Sequence, residues 1–337
     1  MDKKVSIYDI ASHLNISAAT VSYVINGVPK VGEKTKKRVL DAIEELGYIP
    51  NYTARALSTG KSELIGIVLP LADAAIGFVQ NPFYSEFIAG FETGLKDSGY
   101  DVLIATMKNV EEFKIWANSR DLAGIVVIGS LSNDLLDELN KTNMPVVLVD
   151  NYTENEYKFN NVKSDDFKGA IIATNYLIGE GHKRIGFVGN PDKYLVDGIR
   201  FKGFKSVLEE KGLAFSDNHL FLADATYQDG YDVAPLIFSN KEITAIFCAG
   251  DMLAIGILKR ALELNIKVPD DISIIGYDDI FNSSLTFPSL TTVCQNISEK
   301  GIKAASIVVD AINSGEKGEA VINLSPKLVI RNSVKKI

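Results

Sequence analysis

The chain has 337 residues, of which 46% are hydrophobic and 23% charged, with a formal net charge of −8. Such length and composition exceed one ordinary domain, supply ample core and exclude a disordered or low-complexity polypeptide. No apolar run approaches the ~20 residues of a membrane span. Met1-Asp2-Lys3-Lys4 leads into polar helix rather than a signal peptide's apolar core, so a cytoplasmic location and no membrane partner are expected.

The charge is unevenly placed. Met1 to Lys61 holds seven Lys and two Arg against three Asp and three Glu, a net of +3, so the remainder carries −11. A basic head on an acidic body is the asymmetry of a protein whose head alone meets phosphate. Within that head, Ser6 followed by Asp9 predicts a capping box, and Ile7, Ile10, Ala11 and Leu14 form an apolar stripe ending at Asn15. Ser17 caps a second helix with Val21, Val24 and Ile25 on its inner face. Ala18, Ala19, Ser22, Tyr23 and Asn26 fall on the other face. A third helix is expected from about Glu33 to Leu46, with Val39, Leu40, Ile43 and Leu46 inward and Gly47 as its stop. Two short helices joined by a turn of about three residues form a helix-turn-helix pattern, which by itself also fits a helical protein-docking module.

Several runs together carry a resemblance. Ile7-Tyr8-Asp9-Ile10-Ala11, Ser17 to Thr20-Val21-Ser22, Val24-Ile25-Asn26-Gly27, Ile43-Glu44-Glu45-Leu46-Gly47-Tyr48 and Ala54-Arg55-Ala56-Leu57 resemble the head of the lactose-repressor and galactose-repressor family of bacterial transcription regulators. The resemblance implies a head over 1–50, a hinge helix and linker over 51–61, and an effector-binding and dimerisation body over 62–337. Its expected partners are double-stranded DNA with a near-palindromic operator, a second copy of the chain in a homodimer, and a sugar-like small-molecule effector. DNA-contact positions carried over are Tyr8, Ser17, Ala18, Ala19, Thr20, Ser22, Tyr23, Asn26, Arg55 and Leu57. In the family the hinge leucine, here Leu57, wedges into the minor groove, where unstacking costs a few kcal/mol that the bent DNA's contacts offset. Tyr23 stands where relatives often carry arginine, the usual reader of guanine.

From Glu63 onward short apolar runs alternate with amphipathic segments. Strands are expected at Leu64–Leu69, Val102–Ala105, Gly124–Ile128 and Val146–Val149, with a second set at Ile185–Val188, Leu220–Ala223, Ala245–Ala249 and Ile272–Tyr277. Helices lie between them. The fold class expected is therefore an all-α helix-turn-helix head plus an α/β body of two doubly wound parallel-sheet lobes, like a two-lobed periplasmic binding protein. The family resemblance places lobe 1 at about 62–152 and 291–315, and lobe 2 at about 153–290 and 316–337, with three crossings between them.

Effector contacts are expected at strand ends. Asp73, Asn81, Phe83, Tyr152, Arg200, Asp251 and Asp278 are the candidates; carboxylates and a guanidinium pair with vicinal hydroxyls while rings stack on the sugar's apolar face. Ala74 to Gln80 lengthens the family's first loop, and Ala225 and Gly250 replace residues common in relatives. Catalysis is not expected, because no strand is followed by G-x-G-x-x-G, no P-loop lysine is present and no Ser/His/Asp or Cys/His arrangement stands out. Neither is a cofactor or a metal expected, since His13, His182 and His219 share no ligand spacing and Cys248 and Cys294 read as buried free thiols. The rival readings are a regulator of non-sugar metabolism, such as that of nucleobases, activated by a corepressor, and a cytoplasmic sugar sensor acting through protein contacts.

Overall fold

The computed structural model describes residues 5–25, 28–48, 62–69, 80–154 and 156–337, in two compact units, Met1–Glu63 and Leu64–Ile337. In the first unit α1 (Ile7–Leu14), α2 (Ala18–Ile25) and α3 (Glu33–Glu45) enclose a core of Ile10, Ala11, Val21, Val24, Val39 and Ala42. The expected capping box forms: Ser6 Oγ accepts from the Asp9 amide at 3.4 Å, and Asp9 accepts from the Ser6 amide at 2.8 Å. Helix α1 ends because Asn15 takes left-handed angles, φ 53°, after which the Ile16 amide closes on the Ala11 carbonyl at 3.0 Å. Gly47, with φ 61°, follows α3. Two face assignments change, one inward and one outward. Leu40 is 48% exposed, and Ala42, two positions on, fills the place on the inner face of α3. Ala18 is half-buried against the head's core instead of lying wholly on the outer face.

The second unit contains two six-stranded sheets. One has the order β11-β5-β4-β3-β1-β2, from β1 (Leu64–Leu69), β2 (Asp101–Thr106), β3 (Gly124–Ile128), β4 (Val146–Val149), β5 (Asn160–Ser164) and β11 (Val321–Leu324), all parallel. The other is β12-β10-β9-β8-β6-β7, from β6 (Ile185–Val188), β7 (Leu220–Phe221), β8 (Ala245–Cys248), β9 (Ser273–Asp278), β10 (Thr291–Cys294) and β12 (Lys327–Val329). In this sheet β12 runs antiparallel to β10, and the chain reaches it from β11 of the other sheet through Ser325-Pro326 alone, with no helical crossover.

The lobe boundaries differ from those expected. Residues 160–164 and 321–324 pair into the first sheet, and 291–294 into the second, so the chain crosses near Asp165, Gln295-Asn296 and Ser325-Pro326. Three crossings remain, each displaced by one strand. Helix α11 (Ile297–Ser314) does belong to lobe 1, packed on α4 (Pro82–Leu95) through facing glycines: a Cβ on Gly90 would meet the Ser298 carbonyl at 2.1 Å and one on Gly301 the Phe87 carbonyl at 2.3 Å. Cys248 is buried in the lobe 2 core, whereas Cys294 is only half-buried. Among the described residues no helix is long and apolar enough to cross a membrane.

Candidate effector cleft and DNA interface

Both sheets aim their carboxyl ends at the region where the lobes meet, the usual ligand position in open α/β sheets. From lobe 1, Asp150 and Tyr152 follow β4. From lobe 2 come Asp166, which opens α7 (Asp166–Gly179), Arg200 on α8 (Leu195–Glu210), and Asp278 at the end of β9. The Arg200 guanidinium is 5% exposed and lies 3.7 Å from the centre of the Tyr277 ring. Its Nε and Nη2 donate to Asp166 Oδ1 at 2.8 and 2.7 Å, while Nη1 donates to the Ala249 carbonyl and reaches Asp278 Oδ1 at 3.5 Å. Asp278 accepts from Gln295 Nε2 at 2.5 Å, and Gln295 in turn accepts from Lys300, whose Nζ holds both oxygens of Asp150 at 2.8 and 2.6 Å. The Tyr152 hydroxyl closes the circuit, donating to Asp166 with Asp150 Oδ1 3.4 Å away.

These contacts form one polar ring through both lobes, and its electrostatics follow from burial. Desolvation pushes Asp278 up to about 6, with Arg200 opposing and Asp166 adding to the rise. Burial also raises Asp150, against the pull of Lys300. Asp166 is buried too, but the attraction of Arg200 and Lys300 outweighs desolvation and holds it below the ordinary carboxylate range. Close by, a cavity of about 330 Å³ is lined by Gln80 and Pro82 of lobe 1 and by Tyr227, Gln228, Met252 and Asn282 of lobe 2. Phe281 of lobe 2 donates its amide to Glu86 of α4 at 2.7 Å, a second tie between lobes.

The expected effector residues fare unequally. Arg200, Asp278 and Tyr152 are brought together. Phe83 is half-buried, with the Lys300 ammonium 5.5 Å from its ring centre, and Asn81 caps α4 through a 3.1 Å bond from the Phe83 amide. Asp251 does not face the cleft: it is fully buried, with Oδ1 accepting from Thr292 and Oδ2 from Ser283 and the Ile280 amide at 2.6, 2.6 and 3.1 Å. Desolvation raises it well above the carboxylate range. Its place at the start of α10 (Asp251–Glu263) made it look like a strand-end ligand, but three protein donors occupy it. Asp73 lies outside the described residues. Sequence reasoning missed Asp166, Gln295 and Lys300. A lysine on the apolar stripe of α11, with Ile297, Ala304 and Val308, was the one available signal.

In the head, Ser17 and Thr20 bond to each other through their hydroxyls at 2.8 Å, and Ser17 Oγ also caps the Thr20 amide at 3.1 Å. Tyr8 is 70% and Tyr23 38% exposed, Ala19 is exposed, and the Lys30 ammonium stands 5.4 Å from the Tyr23 ring centre. Ser22 is half-buried. Asn26, Arg55 and Leu57 lie outside the described residues.

Comparison with known proteins matches residues 6–51 to the bacterial regulatory proteins of the lacI family and residues 174–334 to the periplasmic binding protein-like domain. An HTH-type transcriptional repressor PurR from Pasteurella multocida is 34% identical over 337 residues, covering 98% of each chain. The chain belongs to the lacI family. It is a DNA-binding transcriptional repressor of that family and not an enzyme. Members bind DNA and small-molecule effectors and act as dimers. The fold is that of the lac repressor dimer solved with operator and the anti-inducer ONPF, at 24% identity and TM-score 0.83, covering 99% of this chain and all of the other. A lacI-family regulator from Enterococcus faecium with bound ribose is 26% identical with TM-score 0.72, covering 81% of this chain and 99% of its own.

Proposed function

We propose that the body of this lacI-family protein binds an uncharged sugar or related polyol between its lobes, and that this binding sets the affinity of a homodimer for a near-palindromic operator controlling carbohydrate use. The reading rests on one observation, the convergence of Asp150, Tyr152, Asp166, Arg200, Asp278 and Lys300 at the carboxyl ends of both sheets. Vicinal hydroxyls both donate and accept, and so can exchange into such a ring without leaving a charge unpaired. Three carboxylates against two cations disfavour an anionic ligand such as a sugar phosphate. Phe83 and Tyr227 supply rings for the apolar face of a pyranose, and the ribose-bound relative supports the same class.

In this mechanism the effector alters how the lobes close about the three crossings, and the hinge around Leu57 forms or melts in response. Reciprocity then requires DNA to change effector affinity by the same factor that effector changes DNA affinity. The 34% identical PurR relative supports a second reading, a nucleobase-type corepressor.

Fluorescence anisotropy of the full chain on its own upstream DNA, with neutral sugars, sugar phosphates and nucleobases titrated at fixed salt, tests the proposal. Release by one neutral sugar supports it. Binding that requires a nucleobase supports the second reading, and DNA binding without salt dependence or response to any compound overturns both.

A further inference from the structure

Helix α2 has to read DNA without a charge of its own. As the second helix of a helix-turn-helix it is the one that lies in the major groove, yet Ala18–Ile25 contains no acidic or basic residue. Guanine presents two acceptors in that groove, O6 and N7, and Arg and Lys are its commonest partners. Within the helix only Thr20, Ser22 and Tyr23 carry side-chain donors, all of them neutral hydroxyls, and Thr20 already meets Ser17.

The turn after α2 supplies a cation. The Val28 amide donates back to the Tyr23 carbonyl at 2.9 Å, and the Lys30 amide donates to the Val28 carbonyl at 2.7 Å across Pro29, whose ring fixes its own φ. The chain therefore doubles back along the last turn of the helix. It sets the Lys30 ammonium 5.4 Å from the centre of the Tyr23 ring, within the range at which a ring face attracts a cation. Both side chains are open to solvent, Tyr23 being 38% exposed. Glu33, the next acid along the chain, does not take the charge, since it pairs with Lys36 at 3.6 Å. Tyr23 in turn stands one helical turn beyond Ala19, which is exposed on the same face.

We infer that Lys30, held on the Tyr23 ring, is a base-reading residue whose ammonium donates to guanine O6 and N7 in each half-site, with Tyr23 as the residue that positions it. The ring narrows the arc that a free lysine sweeps, so less side-chain freedom is lost when the base is met. A lysine free to swing reaches the phosphates instead, and phosphate contacts carry no sequence information. The inference does not depend on what the cleft binds.

The test uses the full chain and a pool of random DNA duplexes, with and without the compounds titrated above. Bound DNA is sequenced after repeated selection, and affinities for the selected duplex and its single-base variants are read by fluorescence anisotropy at several salt concentrations. The parent should prefer guanine at one pair of symmetry-related positions. Lys30→Met should abolish that preference, weakening binding to the guanine duplex about ten-fold at each half-site, and leave the preferences at other positions as they are. Lys30→Arg should keep it. Tyr23→Leu should relax the same position, and adding Lys30→Met to it should cost less there than Lys30→Met costs in the parent. Uniform weakening of every duplex by Lys30→Met, with a shallower salt dependence, would mark a phosphate contact and overturn the inference. So would unaltered preferences in Lys30→Met, a parent without a guanine preference, or a Tyr23→Leu variant that changes other positions only.

Discussion

Lys300 and Asp150 form a buried ion pair in which one ammonium holds both carboxylate oxygens, at 2.8 and 2.6 Å, with the lysine wholly out of solvent. The pair ties the first turn of α11 to the end of β4 and, through Gln295, reaches lobe 2. A buried pair of this kind adds little compared with apolar packing, yet removing one member strands the other's charge.

Lys300→Met should therefore destabilise the body by about 3–5 kcal/mol in urea unfolding. The double variant Asp150→Asn with Lys300→Met should recover much of that loss, since no charge is left unpaired. A single variant within about 0.5 kcal/mol of the parent, the range of ordinary surface substitutions, would show that the pair is not held as described.

Asp278 gives the cleft a pH dependence. Its folded-state value is raised to about 6, chiefly by desolvation, so the protonated form suits the fold better. The stability it contributes is complete below the ordinary carboxylate value and is lost as pH rises through about 6. Asp166 is lowered, so its contribution has the opposite sign and is lost only as pH falls below the ordinary carboxylate range. Thermal melts of the parent and Asp278→Asn should accordingly diverge as pH rises through the window around 6, with the variant gaining relative stability. Parallel curves across that window would count against a raised Asp278.

The two-lobed plan was legible because β1, β3, β4, β6, β8 and β9 are short apolar runs buried on both faces, the pattern a parallel sheet imposes. Of the strands not expected, β5 and β11 lie toward the edge of the first sheet. Asn160-Asn161-Val162-Lys163-Ser164 is polar because its asparagines bond to other segments: Asn160 to the Lys317 carbonyl and the Ala320 amide, Asn161 to Asn151. No periodicity announces such a strand, and missing it displaced the first lobe boundary. In the cleft, Asp278 was legible as a charge at a strand end and Arg200 through the family resemblance, since it lies within helix α8. Asp166 was not, because an acid in the first turn of a helix already has an ordinary reason to be there.

Close helix packing in lobe 1 gives a prediction with its own control. Gly301→Ala would set a methyl 2.3 Å from the Phe87 carbonyl and 2.5 Å from the Phe91 amide nitrogen, neither of which moves without shifting α4. The cost should be about 1–3 kcal/mol, typical of overpacking. Gly179→Ala, at the end of α7 with open space around it, should instead stabilise by up to about 1 kcal/mol through helix propensity. Equal effects in thermal unfolding would mean that α4 and α11 are not in close contact.

The head offers a test separate from the body. Ser6 and Asp9 satisfy each other's amides at the start of α1, and their side chains also meet, Ser6 Oγ donating to Asp9 Oδ2 at 2.6 Å. Eight residues are too few for a helix to hold in water by propensity alone, so α1 depends on this cap and on burying Ile10 and Ala11. Ser6→Ala should cost the head about 1 kcal/mol. Asp9→Ala should cost a similar amount, and the pair together less than the sum, since either change already breaks the reciprocal bonds. Monitored by amide exchange in α1 and, separately, in β3 and β8, the loss should fall on the head and leave the sheets' protection unchanged. Additive losses would mean that the two residues act independently and that the box is not what starts the helix.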